Sequence, residues 1–249
     1  MPRSEIVSNP EAVLPGAGSW SLKDGLLTES RLSALRLKHG FTTKSLGDMK
    51  DAARVKHVAG MLDTSMPLTL KQVHGTAILD AHPENAGFEA DGWLLSSPGV
   101  TVGVYVADCV PLYLWADNGK AAGVFHAGWK GTAAGMAKLA AKLFFDRFAI
   151  KPESLSAALG PHIGPCCYKV GTDFERIFHS NSLVGRGSDL YLDLALETKR
   201  QLIEAGLKAQ NIGASAGCTC HNESDYYSFR RQKQVSRMLA LLSLDQWPS

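Results

Sequence analysis

No long apolar run occurs in this sequence. Its most hydrophobic stretch, residues 100–115, is broken by Asp108 and Pro111 and falls short of the roughly 20 residues that a membrane-spanning helix needs. Net charge is also small. Twenty-six Lys and Arg stand against 24 Asp and Glu, leaving +2, which gives neither a broad basic field for a nucleic-acid backbone nor an acidic tail. Cysteine is scarce and odd in number (Cys109, Cys166, Cys167, Cys218, Cys220), and no charged-then-apolar leader precedes it. That pattern argues against a disulfide framework and for a reducing, cytoplasmic setting. Repeats and low-complexity tracts are missing too. The expectation is a soluble protein with no membrane and no nucleic-acid partner. Nothing in the pattern fixes an oligomeric state.

With 45% hydrophobic residues in 249, the chain can bury a substantial core, and one domain spanning 1–249 is expected, with residues 1–30 an irregular lead-in or edge strand. Short runs rich in Val, Leu, Tyr and Trp predict strands at 68–73, 76–79, 92–95, 100–106, 112–115 and 121–125. Apolar residues at helical spacing predict a helix over 132–148 with Thr132 as its N-cap, and further helices over 173–179, 194–205 (stopped by Gly206) and 232–242. Strands are expected near 156–159 and 212–216. This mixed order points to an α/β (α+β) fold, a layered domain of mixed β-sheets flanked by helices.

Three reactive side chains fall at predicted strand ends: His74 in KQVHG, Cys109 in ADCVP and His126 in HAGWKGT. Pro111 should interrupt the strand ladder beside Cys109 and distort the chain there. Alone, each residue reads most simply as packing or surface. Together, two imidazoles and a thiolate suit zinc and leave a fourth tetrahedral position open; copper accepts the same donors. Asp91 and Asp108 are the nearest carboxylates in sequence, and either suits a general acid or base. Gly128, Lys130 and Gly131 lead into a predicted helix and so form a candidate anion-binding turn. Arg230 and Arg231 offer bidentate contacts to the same kind of group. Cys166 and Cys167 read as packing residues first, and the single cluster 218–221 (CTCH) lacks the four ligands of a structural zinc site by itself.

These segments, in order, resemble the laccase-domain family, also called the polyphenol oxidase or peptidoglycan editing factor family: HGFTTK at 39–44, KQVHG at 71–75, EADG at 89–92, ADCVP at 107–111, HAGWKGT at 126–132, 160–171, and 218–231. The resemblance covers nearly the whole chain from His39. It implies zinc bound by His74, Cys109 and His126, with Asp108 catalytic and with Lys44, Gln72, Asp91, Lys130 and Arg230 meeting substrate or anion. Lys44 and Lys130 stand where relatives often carry Arg, which removes bidentate geometry there. The activity implied is on purine nucleosides: phosphorolysis of adenosine, inosine and methylthioadenosine, and deamination of adenosine, with nucleoside and phosphate as partners. The known zinc-deaminase signature is absent from the sequence. Three alternatives stand beside it: a peptidoglycan-precursor editing hydrolase with Cys109 as nucleophile, a copper-dependent polyphenol oxidase, and a non-enzymatic metal-binding protein. None of the eight histidines forms a His-x-His pair, which weighs against multicopper chemistry.

Overall fold

The computed structural model describes residues 18–213, 215–233 and 235–244. Its strands are β1 (Trp20–Lys23), β2 (Leu26–Glu29), β3 (Lys38–Thr42), β4 (Ile78–Asp80), β5 (Gly92–Leu95), β6 (Val100–Val106), β7 (Val110–Ala116), β8 (Ala122–Ala127), β9 (Leu155–Leu159), β10 (Lys169–Val170), β11 (Leu183–Arg186), β12 (Asp189–Leu192) and β13 (Met238–Leu244). Its helices are α1 (Ser30–Ala34), α2 (Ala52–Met61), α3 (Trp129–Ala133), α4 (Met136–Phe148), α5 (Leu194–Glu204) and α6 (Phe229–Gln232).

Two five-stranded sheets dominate, one ordered β1-β2-β3-β13-β6 and the other β4-β5-β8-β7-β9; a small sheet β10-β12-β11 stands beside them. The period of two along each strand explains why the sheets stack. In β13, Met238, Ala240, Leu242 and Leu244 enter the cluster that also holds Trp93, Tyr113, Trp115 and Val124 of the second sheet, while Leu239 and Leu241 turn the other way onto Val55 and Val58 of α2. In β7, Tyr113 and Trp115 face the first sheet, and Leu112, Leu114 and Ala116 face α4 and α5. The result is four layers, helix, sheet, sheet and helices, as the mixed pattern implies. Side chains as large as Trp93 and Trp115 are fully buried between the sheets, each worth about 1.5–3 kcal/mol or more in burial.

Several local expectations are corrected. The run 232–242 contains β13, not a helix: a central strand paired on both sides with β3 and β6 is buried on both faces, so its apolar run is continuous and mimics a buried helix. Gln234 lies outside the described residues. The helix over 132–148 is two helices, broken at Gly135, whose φ of 84° is left-handed, and Thr132 is a buried residue inside α3, not a cap. Residues 68–73 form only isolated bridges, Leu68 with Val102 and Lys71 with Glu89, and 212–216 only one, Ile212 with Ala157; Ala214 is not among the described residues. Residues 173–179 fall on a 3₁₀ turn, Thr172–Arg176. Of the lead-in, 20–29 is the edge hairpin β1–β2, and 1–17 lie outside the described residues. The helix at 194–205 holds, capped by Asp193 and followed by Gly206 at φ 104°. No helix among the described residues is long and apolar enough to cross a membrane.

Candidate metal centre

At residues 107–109 the chain leaves β6 in the first sheet and enters β7 in the second. This step between layers, rather than Pro111, makes the distortion: Pro111 sits inside β7, in register with His126 of β8. Asp108 takes a φ of 90° there, a left-handed conformation that Asp tolerates better than most residues. Its carboxylate is anchored on both oxygens, Oδ1 accepting from Thr219 Oγ1 and Oδ2 from the Arg230 amide, each at 2.7 Å. Cys109 follows, half-buried, immediately before β7.

Asp91, fully buried ahead of β5, organises the two histidines. Its Oδ1 accepts from the His74 amide at 2.9 Å and from His126 Nδ1 at 2.8 Å, and its Oδ2 accepts from the amides of Gly75 at 2.7 Å and Val73 at 3.2 Å. His74, at φ 61°, is thereby held in a left-handed turn without a preceding strand, contrary to the strand-end placement expected for it. His126, 3% exposed near the end of β8, has its Nδ1 committed to Asp91, which fixes the tautomer and leaves Nε2 to face Cys109. Burial opposes charge on Asp91, yet the hydrogen bond from His126 and those from the loop amides hold its carboxyl below the usual range.

The structure brings the three expected side chains together: one ligand atom each from His74, Cys109 and His126 lies within 4.8 Å of the others, and the imidazole centroids are 4.8 Å apart at 79°. Burial alone would raise the Cys109 thiol, but the adjacent His126 and then His74 outweigh it and bring it down to about 6. Burial likewise works against charge on His126, and the thiolate with Asp91 overcomes it, raising the ring to about 9. The two shifts reinforce each other and favour a thiolate beside an imidazolium, and deprotonated sulfur is the form a metal binds.

The glycines of the proposed anion turn are explained by close approach. A Cβ on Gly128 would stand 2.9 Å from Cys109 Sγ and 3.1 Å from His74 Cδ2, and one on Gly131 2.7 Å from the Gly75 carbonyl. Gly128→Ala is expected to cost about 1–3 kcal/mol by overpacking and to lower bound metal, read by thermal melts and metal quantification. A variant with wild-type metal content would show that the ring and thiol yield easily.

A cleft of about 710 Å³ opens above the three donors. Asp108, Gln72 and Arg230 line it as expected, but Gln72 spends its amide on the Tyr105 backbone, donating at 2.9 Å and accepting at 2.7 Å. Lys44, Asp91 and Lys130 are not on the lining. Lys44 lies over the Tyr227 ring, Lys130 over the ring of Trp129, which itself lines the cleft, and Asp91 is spent beneath the floor. Arg231 is a brace, donating to the carbonyls of Thr219, Cys220 and Tyr226. Missed in the sequence were Lys50, Lys233 and Arg237, whose side chains join Arg230 on the lining, together with Tyr168, whose ring lies 4.8 Å from the Arg230 guanidinium carbon. The basic run 230–237 was the available signal, hidden by reading 232–242 as a helix.

Fold and donors together define a layered α/β protein with a candidate two-histidine, one-cysteine metal centre at the floor of a cationic cleft. The chain belongs to the family described as multi-copper polyphenol oxidoreductase laccase, whose model matches residues 43–245. A relative named purine nucleoside phosphorylase YlmD, from Geobacillus stearothermophilus, is 34% identical over 194 residues, covering 69% of this chain and 70% of its own. A Deinococcus radiodurans protein, named purine nucleoside phosphorylase, is 35% identical over 181 residues, covering 70% of this chain and 69% of its own. The crystal structure of YlmD from Geobacillus stearothermophilus superposes with a TM-score of 0.82 at 26% identity, covering 91% of this chain and 99% of that one.

Proposed function

We propose that this protein is a zinc-dependent purine nucleoside phosphorylase acting on adenosine, inosine and methylthioadenosine, with hydrolytic deamination of adenosine at the same centre. The observation that carries the reading is the convergence of His74, Cys109 and His126 at the floor of the cleft. Their chemistry fits zinc: two imidazoles and an acidified thiol, with the open direction toward the cleft. Bound there, zinc supplies Lewis-acid polarisation of a group facing the cleft. Lys50, Arg230, Lys233 and Arg237 give that cleft the positive charge that phosphate needs, and Trp129, Tyr168 and Phe229 give flat apolar walls for a purine. Burial and the neighbouring Cys109 push the Tyr168 hydroxyl up to about 12, so it stays protonated near neutrality. Asp108 is the carboxylate on the lining and is assigned the proton-handling role, oriented by Thr219 and the Arg230 amide.

The test is a metal-quantified assay of purified protein against a nucleoside panel, with and without phosphate. Release of free base that requires phosphate is the expected result; base release indifferent to phosphate, or none, would reject phosphorolysis. Ammonia release from adenosine reads deamination separately. A visible thiolate-to-copper absorption on copper loading is what a blue-copper version of the oxidase alternative demands, and a colourless copper-loaded sample rejects that version.

The acidified thiol also favours a second reading, in which Cys109 of the metal-free protein is a nucleophile in hydrolytic editing of a peptidoglycan precursor. Its thiolate fraction rises as pH climbs through about 6, so alkylation of Cys109 in metal-free protein should show its midpoint near pH 6 and be most of the way to its plateau at neutrality, where an unperturbed thiol would still be climbing toward about 8.5. Peptide mapping of labelled protein across pH checks this. A midpoint near the unperturbed value would remove the support for this reading.

A further inference from the structure

On the side of the cleft formed by 160–168 and 217–231, four of the five cysteines gather, none of them among the donors already described. The chain reverses at 165–167, where the amides of Cys167 and Tyr168 both donate to the Gly164 carbonyl at 3.0 Å. That turn lets two adjacent thiols share one neighbourhood, which an extended chain forbids, while Cys167 also packs against the core as expected. Cys218 arrives from the other loop through the bridge between His162 and Cys218. The sulfurs of Cys166, Cys167 and Cys218 lie within 4.8 Å of one another, and Cys220 follows two residues on in the same loop. All four are free thiols. Two amides also aim at Cys218 Sγ, Gly164 N–H at 3.2 Å and His221 N–H at 3.4 Å, the kind of outer-shell hydrogen bonding that orients metal-ligating groups.

We infer that Cys166, Cys167 and Cys218 form a second metal site, for a thiophilic d¹⁰ cation such as Zn²⁺ or Cu⁺, separate from His74, Cys109 and His126. Three sulfurs converging on one point is a donor set soft metals select, with a fourth tetrahedral position left open. The 218–221 segment could not close such a site alone, and the fold supplies the missing ligands from 166–167. Tetrahedral zinc–sulfur bonds of about 2.3 Å place sulfurs roughly 3.8 Å apart, within reach of side-chain rotation from the spacing seen. The cation would brace the wall of the cleft: Thr219, next to its ligand Cys218, orients Asp108, and Tyr168, next to its ligand Cys167, carries Arg230. Its role is structural.

Cobalt separates the two sites. In full-length Cys109→Ala the floor of the cleft has no sulfur, so any intense thiolate-to-cobalt absorption on Co²⁺ titration belongs to the second site. The expected result is such absorption saturating at one equivalent, displaced by one equivalent of Zn²⁺, and lost when Cys166→Ser and Cys218→Ser are added. If that triple variant does not fold by circular dichroism, Cys109→Ala with Cys218→Ser alone should show a weakened band, and an unchanged band would overturn the inference. Folded Cys109→Ala without thiolate absorption would overturn the inference, as would a thiol count on freshly purified protein showing two of these cysteines joined in a disulfide. Because activity is not the readout, failure here leaves the nucleoside reading standing, and its failure leaves this one.

Discussion

Cys109→Ala should abolish nucleoside turnover, lowering phosphorolysis by about 10³-fold or more, equivalent to about 4 kcal/mol of barrier. It should also remove the metal held by His74 and His126. Two imidazoles remain, but the donor that brings charge, and whose acidity the two rings establish, is gone. The measurement is steady-state phosphorolysis together with metal content by mass spectrometry. A variant that turns over at the wild-type rate would eliminate the proposed centre outright. Cys109→Ser, which keeps the volume and replaces a soft donor with a poor one, should fall nearly as far, setting the loss on ligand chemistry rather than on a cavity.

Asp91→Asn tests the layer below. The carboxylate accepts four hydrogen bonds, from three consecutive amides and from His126 Nδ1. An amide keeps the shape but turns one acceptor into a donor, so at least one buried N–H loses its partner. That costs about 1–3 kcal/mol of stability, and the released His126 and His74 should bind metal about 10–100-fold more weakly. Thermal melts and competition with a chelator read the two effects separately. Unchanged metal affinity with lowered stability would make Asp91 a loop anchor only, and its part in orienting the histidines would be withdrawn.

The sequence made the three donors legible because each sits in a short motif beside a glycine or proline, and because two imidazoles with a thiol suggest a chemistry whatever their spacing. Their neighbours were harder to read. Asp91 appeared in sequence as a cleft residue, yet its work is beneath the floor; a carboxylate looks the same in one dimension whether it meets ligand or loop. Lys50 and Arg237 were missed because they are far apart in the chain and are brought together where the Met49 amide donates to the Arg237 carbonyl at 3.0 Å and the Arg237 amide donates to Asp48 Oδ1 at 2.9 Å. In the fold, short apolar runs bounded by turn residues predicted β5 and β6 well, and Gly206 marked the end of α5. Where both faces of an element are buried, as in β13, periodicity disappears and the reading goes astray. The short 3₁₀ turn and the Gly135 break depend on backbone angles that an apolar pattern does not encode.

The passage of the chain between layers at 107–109 also decides when the centre can come apart. Cys109 is tied to the second sheet through β7 and follows directly on β6 of the first, while His126 and Asp91 belong to the second alone. Fraying at an edge such as β1 or the small sheet leaves that junction closed, so the donors should disperse only when the stacked sheets separate. Exchange of the backbone amides around Cys109 should therefore follow the global unfolding free energy, slowed further by any ligand that prefers the native state, and loss of the centre would mark the same event as loss of the fold.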